Sequence, residues 1–219
     1  MDAPFGQVLT SSEELRQHYR AAPAGVRAKV VDAIDELARH FIACSPFVLL
    51  ATADAAGRCD VSPRGGPAGF VKVLDGHRLV VPDLNGNNLL DSLENIVTNG
   101  RAGLLFLVPG RDETLRVNGK AFVSVEEDLL GLFEGELRRP TSVVGIEVEA
   151  AYVHCAKSFR RGGVWSPDTW PSLETVPTAA AMLSGHTRSG RSPEEIQLYL
   201  DASYASGLAG DKPEAGPTR

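Results

Sequence analysis

A mainly β (α+β) fold built on one antiparallel sheet follows from three features of the sequence. Short apolar runs of strand length recur between turn signals, and most are joined by hairpin-length connections. Helical periodicity is confined to the two ends of the chain and one segment in its middle. The strand–helix–strand alternation that marks a parallel sheet is missing. Six or seven such strands close into a barrel or pack as a sandwich. No fixed-period repeat is present.

Composition bounds the remaining possibilities. With 219 residues and 43% apolar content the chain has enough material for one domain with a real core. No window reaches the roughly 20 apolar residues of a spanning helix, so no membrane association is expected. The start, M-D-A-P-F-G-Q, has neither a basic patch nor an apolar run and predicts no signal peptide. Three widely spaced cysteines, Cys44, Cys59 and Cys155, point to reduced thiols and a cytoplasmic location. A net charge of −6 argues against a nucleic-acid partner.

The elements follow in order. Ser12 is placed to cap a short helix over 13–19. Val30, Val31, Ile34, Leu37, Ala38 and Phe41 make one apolar stripe and predict a helix over 27–41, stopped by Pro46. Residues 47–52 form a continuous apolar run, read as a strand buried on both faces. Asp54-Ala55-Ala56-Gly57 turns it into a polar partner strand over 58–63. After a Gly- and Pro-rich loop come strands over 70–74 and 78–82, joined at Asp75-Gly76.

A helix over 88–98 has Asn88 as its cap and Leu89, Leu90, Leu93, Ile96 and Val97 as its apolar stripe, with Asn99-Gly100 as its stop. Strands follow over 102–108, closed by Pro109-Gly110, and over 114–125, kinked at Gly119. Residues 126–137 read as a short acidic helix. Residues 143–155 read as one long strand, or two joined at Ala150-Ala151. Residues 156–176 look irregular. Ser192-Pro193-Glu194-Glu195 is a capping box that starts a last helix running through Ile196, Tyr199, Leu200 and Tyr204. Residues 210–219 have the composition of a frayed tail.

Several chemistries lack their motifs. The sequence has no G-x-x-x-x-G-K-[ST], C-x-x-C, H-E-x-x-H or G-x-S-x-G. Its five histidines show no metal spacing, so no metal site is expected. His154 and Cys155, adjacent on a strand, point to opposite faces and cannot act together. No residue stands out as a general base, and the catalytic residues are left unassigned.

The stretch 61–96 carries the chemistry. Ser62 and Arg64 precede a glycine loop, Lys72 lies in the next strand, and an Asn-rich segment leads into a helix. Two cations and a helix start brought together by a hairpin make a site for an anion such as a phosphate. Each residue also has a plain structural reading. Arg64 fits an exposed turn, Lys72 a solvated strand face, and Asn87 and Asn88 turn and cap positions.

Four segments together resemble the pyridoxamine-phosphate-oxidase-like flavoproteins, nearest a bacterial FMN-dependent subgroup. They are S-P-R-G-G-P-A-G-F-V-K-V-L (62–74), V-P-D-L-N-G-N-N-L-L-D-S-L-E-N-I (81–96), G-L-L-F-L-V-P-G with T-L-R-V-N-G-K-A (within 103–121), and H-C-A-K-S-F-R-R-G-G-V-W (154–165). The resemblance implies a Greek-key split β-barrel, a homodimer with FMN at the subunit interface, and hydride transfer between flavin N5 and a small organic substrate or nicotinamide. It divides the chain into an N-terminal helical arm (1–41), the barrel (42–158) and a C-terminal arm (159–219). It also implies cofactor contacts from Ser62, Pro63, Arg64, Val71, Lys72, Pro82, Asn87 and Asn88, and from Lys157, Arg161 and Trp165 of the last motif.

There are departures from the subgroup. Leu84 and Leu89 stand where it carries arginines, and Gly162 where it carries serine. The C-terminal Arg–His substrate motif of the true oxidases has no match. Two other outcomes therefore stay open: a deazaflavin-dependent reductase on the same barrel, and a non-enzymatic flavin or haem sensor or carrier.

Overall fold

The computed structural model describes residues 5–84 and 86–212. Seven strands form one antiparallel sheet: β1 (Phe47–Ala53), β2 (Cys59–Gly65), β3 (Lys72–Val73), β4 (Arg78–Asp83), β5 (Arg101–Leu107), β6 (Thr114–Ser124) and β7 (Ser142–His154). Their order is β2-β1-β5-β6-β7-β4-β3. The sheet is a split barrel. Arg64 of β2 and Asp83 of β4, near opposite ends of that order, lie 3.6 Å apart. The cleft between these strands is where the candidate site forms.

Strand alternation fills the barrel. Val48 and Leu50 of β1 pair with Phe106 and Leu104 of β5, which pair with Leu115 and Val117 of β6. All six are buried, together with Leu79 and Val81 of β4 and Ile146 of β7. Fully burying a side chain of this size contributes about 1.5–3 kcal/mol. β1 is not buried on both faces as its apolar run predicts. Phe47, Leu49, Ala51 and Ala53 stay half-exposed on the outer face, which nothing among the described residues fully covers.

The long strands carry one irregularity. The β6–β7 register shifts between Asn118 and Gly119, so the kink expected at Gly119 is a β-bulge. Opposite it, Glu149 is the extra residue in a single continuous β7. At the other end of the barrel the glycine loop packs back on β1. The Gly66 and Gly69 amides donate to the Pro46 and Ser45 carbonyls, and the Gly66 backbone lies against the buried Phe70 ring.

Eight α-helices are described: α1 (Ser12–His18), α2 (Ala24–Ala28), α3 (Glu36–Ala43), α4 (Asp91–Asn99), α5 (Glu127–Leu130), α6 (Lys157–Gly162), α7 (Ala179–Thr187) and α8 (Pro193–Gly210). α1 is capped by Ser11, one residue earlier than expected, in a capping box with Glu14. The helix predicted over 27–41 is a shorter α2 and α3 with extended chain between them. Val31 exchanges two backbone hydrogen bonds with Ala151 at 3.1 and 2.7 Å, which takes this segment out of helical geometry. Asp35 then caps α3, accepting from the Ala38 amide at 2.8 Å. Leu37, placed on the predicted stripe, is 82% exposed.

The acidic segment after β6 is α5 followed by one 3₁₀ turn, Gly131–Phe133, that buries Phe133. Residues 156–176 are less irregular than expected, since they include α6. α8 begins with the expected capping box, Ser192 with Glu195. The start expected to lack a signal peptide lies partly in residues 1–4, and the expected frayed tail mostly in 213–219. Both fall outside the described residues.

Candidate functional site

Strand period places the first three groups. Asp60, Ser62 and Arg64 alternate with exposed residues along β2 and pair with Thr52, Leu50 and Val48, the inward residues of β1. They therefore point into the cleft, while Val61 faces outward and Pro63, exposed on the strand, borders the cavity between Ser62 and Arg64. β4 brings Asp83 to the opposite wall. The start of α4 closes the floor with Asp91 and the buried Ser92.

The α4 start differs from expectation. Asn88 (φ 57°) and Leu90 (φ 60°) both adopt the left-handed conformation, and the helix starts at Asp91 without a side-chain cap. Asn88 is therefore not the cap, and the left-handed residues turn Leu89 and Leu90 away from the helical stripe and leave them exposed. Asn87 Oδ1 accepts from the Leu89 amide at 3.0 Å, which holds the turn at the cavity rim.

These elements enclose a cavity of about 440 Å³, within the size range of small-molecule sites. Ser62, Pro63, Arg64, Asn87 and Asn88 of the expected site line it. Its polar lining is a connected chain. Ser92 Oγ donates to Asp60 Oδ2 at 2.8 Å, and the Ser62 and Ser92 hydroxyls are 2.9 Å apart. Among the described residues Arg64 is the cation of the lining, against the carboxylates of Asp60, Asp83 and Asp91. Burial pushes the Asp83 carboxyl above its ordinary value, and the Arg64 charge opposes that shift without cancelling it.

Other expected residues lie elsewhere. Val71 and Pro82 are buried wall residues, and Pro82 precedes Asp83 in β4. Lys72 lines a separate cavity beside Arg39 and pairs with Glu136, its ammonium 6.0 Å from the Phe133 ring centre. Lys157 and Arg161 are exposed on α6. Trp165 donates from Nε1 to the Arg111 carbonyl at 2.9 Å and stacks near Phe159. None of these three lines the cleft cavity. Sequence reasoning missed Asp60, Asp83, Asp91 and Ser92. Asp83 was signalled only by its place next to Pro82, and Ser92 reads locally as an ordinary first-turn helix residue.

The arrangement fits part of a flavin nucleotide. Arg64 offers a bidentate donor to one anionic group, and Ser62 and Asn87 offer polar contacts to a polyol. Asp83, facing Arg64, opposes a phosphate there. Among the described residues no group of three or more His, Cys, Asp or Glu is placed to hold a metal ion.

Fold and cleft together define a split-barrel protein whose mixed-charge cavity lies where the sheet's edges meet. The chain belongs to the pyridoxamine 5'-phosphate oxidase family, whose model matches residues 34–155, more than half of its length. Among solved structures, HupZ from Group A Streptococcus is similar over 55% of this chain and 99% of its own, at 21% identity and a TM-score of 0.47. General Stress Protein 26 from Bacillus anthracis is similar over 52% and 92%, at 16% identity and a TM-score of 0.40. HutZ from Vibrio cholerae, described as a heme storage protein, is similar over 55% and 93%, at 14% identity and a TM-score of 0.38. No curated protein sequence matches the chain.

Proposed function

We propose that this chain is an FMN-dependent oxidoreductase that works as a homodimer on a small organic substrate or a nicotinamide. The observation that carries the reading is the placement of Ser62 and Arg64 on one inward strand face, beside a ligand-sized cavity. Ser62, Pro63, Arg64, Asn87 and Asn88 would hold the phosphate and ribityl end. Lys157, Arg161 and Trp165 would reach the flavin bound by a second copy. FMN, when bound, accepts or donates a hydride at N5, and the protein supplies orientation and electrostatics.

The half-exposed outer face of β1, with Val61 58% exposed beside it, supports a dimer. Three free cysteines support a reducing, cytoplasmic setting. Among the described residues no helix is long and apolar enough to cross a membrane.

The test is a visible spectrum of the purified protein, release of any chromophore by heat, and titration with added FMN. Flavin bands, or tight uptake of added FMN, are expected. A colourless protein that takes up no FMN would overturn the reading. One observation favours a second reading: three aspartates and one arginine line the cavity, a poor balance for a dianion. That balance suits weak, reversible holding of a flavin, as in a non-enzymatic carrier, and is no better for the anionic groups of a haem or a deazaflavin. Turnover with anaerobic NADH or NADPH separates an enzyme from a carrier, and the identity of the released chromophore separates flavin from deazaflavin and haem.

A further inference from the structure

The direction of the hydrogen bonds in the cleft follows from counting hydrogens. The Asp60 carboxylate only accepts, so the Ser92 hydroxyl spends its one hydrogen on Asp60 Oδ2, 2.8 Å away. Ser92 then has nothing to donate to Ser62. The 2.9 Å contact between the two hydroxyls must run from Ser62 to Ser92. With its own hydrogen committed, the Ser62 oxygen presents only lone pairs to the cavity. Ser92 is buried, so no bulk water competes to reverse the chain.

We infer that Asp60, acting through Ser92, is a positioning residue that fixes Ser62 as a hydrogen-bond acceptor, so that this part of the cavity takes a donor-bearing polyol segment. A phosphate dianion has no hydrogen to give Ser62 and depends on the donors of the lining, Arg64 and the side-chain amides of Asn87 and Asn88. Asp83 and Asp91 line the same cavity and are also acceptors, so the preference extends along its wall. This deepens the flavin reading of the site. It rests on that reading for the identity of the polyol (a ribityl chain) but not for the direction of the hydroxyl.

The test measures two probes by calorimetry or NMR titration: D-ribitol 5-phosphate and inorganic phosphate. The readout is the ratio of their affinities for the same protein sample, so a partly unfolded fraction cancels. The protein as it stands is expected to prefer ribitol phosphate. In Asp60→Asn the amide can donate to Ser92, Ser92 to Ser62, and Ser62 into the cavity. That near-isosteric change should cut the preference by about tenfold. Ser92→Ala, which frees the Ser62 hydrogen without altering charge, should cut it by less.

The inference is overturned by no preference in the unaltered protein, or by a preference that survives both substitutions. If ribitol phosphate behaves as expected while FMN fails to bind, the flavin reading falls and the acceptor assignment stands.

Discussion

Gly119 lies so close to Glu147 that a Cβ on the glycine would sit 2.0 Å from the Glu147 carbonyl oxygen. The two meet at the bulge where the β6–β7 register shifts, between the two longest strands of the barrel. Gly119→Ala must push the strands apart or undo the bulge. The expected cost is about 2–3 kcal/mol, read as a lower midpoint in urea or thermal unfolding. An unchanged midpoint would mean that the strands do not approach in this way.

Among the described residues Arg64 is the cation lining the cleft, and riboflavin supplies the control because it lacks the phosphate. Arg64→Ala should weaken FMN binding by roughly 10- to 100-fold, the range of a lost hydrogen-bonded charge contact. Riboflavin affinity should change little. Flavin fluorescence quenching reads both. Equal losses for the two ligands would show that Arg64 does not meet the phosphate.

Asp83 works against that contact. Its folded pKa is raised by burial, so its neutral form is favoured below the raised value, and stability is lost as pH rises through it. The ionised carboxylate also competes with phosphate for Arg64, 3.6 Å away. Asp83→Asn should therefore tighten FMN at neutral pH by about fivefold, and stability should no longer fall across that window. Titrations and melts at matched pH values from 4 to 8, variant against parent, test both points. Weaker FMN binding in the variant would show that Asp83 orders Arg64 instead of opposing its ligand.

Most of the barrel was legible because its information is local. The Asp75-Gly76 turn marks β3 and β4, Gly100 in the left-handed conformation ends α4 as its position implied, and the apolar runs carry the remaining strands. The misreadings arise where distant residues decide. Val30 and Val31 fit a helical stripe, yet Val31 is held by Ala151 far along the chain. The site divides in the same way. Ser62 and Arg64 announce themselves by motif, whereas Asp60 and Ser92 become partners only because the fold joins residues 32 apart. Nothing in the local sequence records the direction of a hydroxyl.

His154 gives a pH signature independent of any ligand. Among the described residues its Nε2 is buried without a hydrogen-bond partner, and its ring packs 5.1 Å from that of Tyr152. Burial first, then the charges of Arg116 and Lys29, hold its pKa below the ordinary histidine value. The folded state thus binds a proton less readily than the unfolded chain. Stability from this group is complete above the ordinary value near 6.5 and is lost as pH falls from there toward the depressed one. His154→Phe keeps an aromatic ring beside Tyr152 and removes the titration. Its unfolding free energy should stay close to the parent's at pH 7.5, and should decline less than the parent's between pH 6.5 and 5. Parallel decline in the two proteins would place the acid sensitivity in other groups and leave His154 as packing alone.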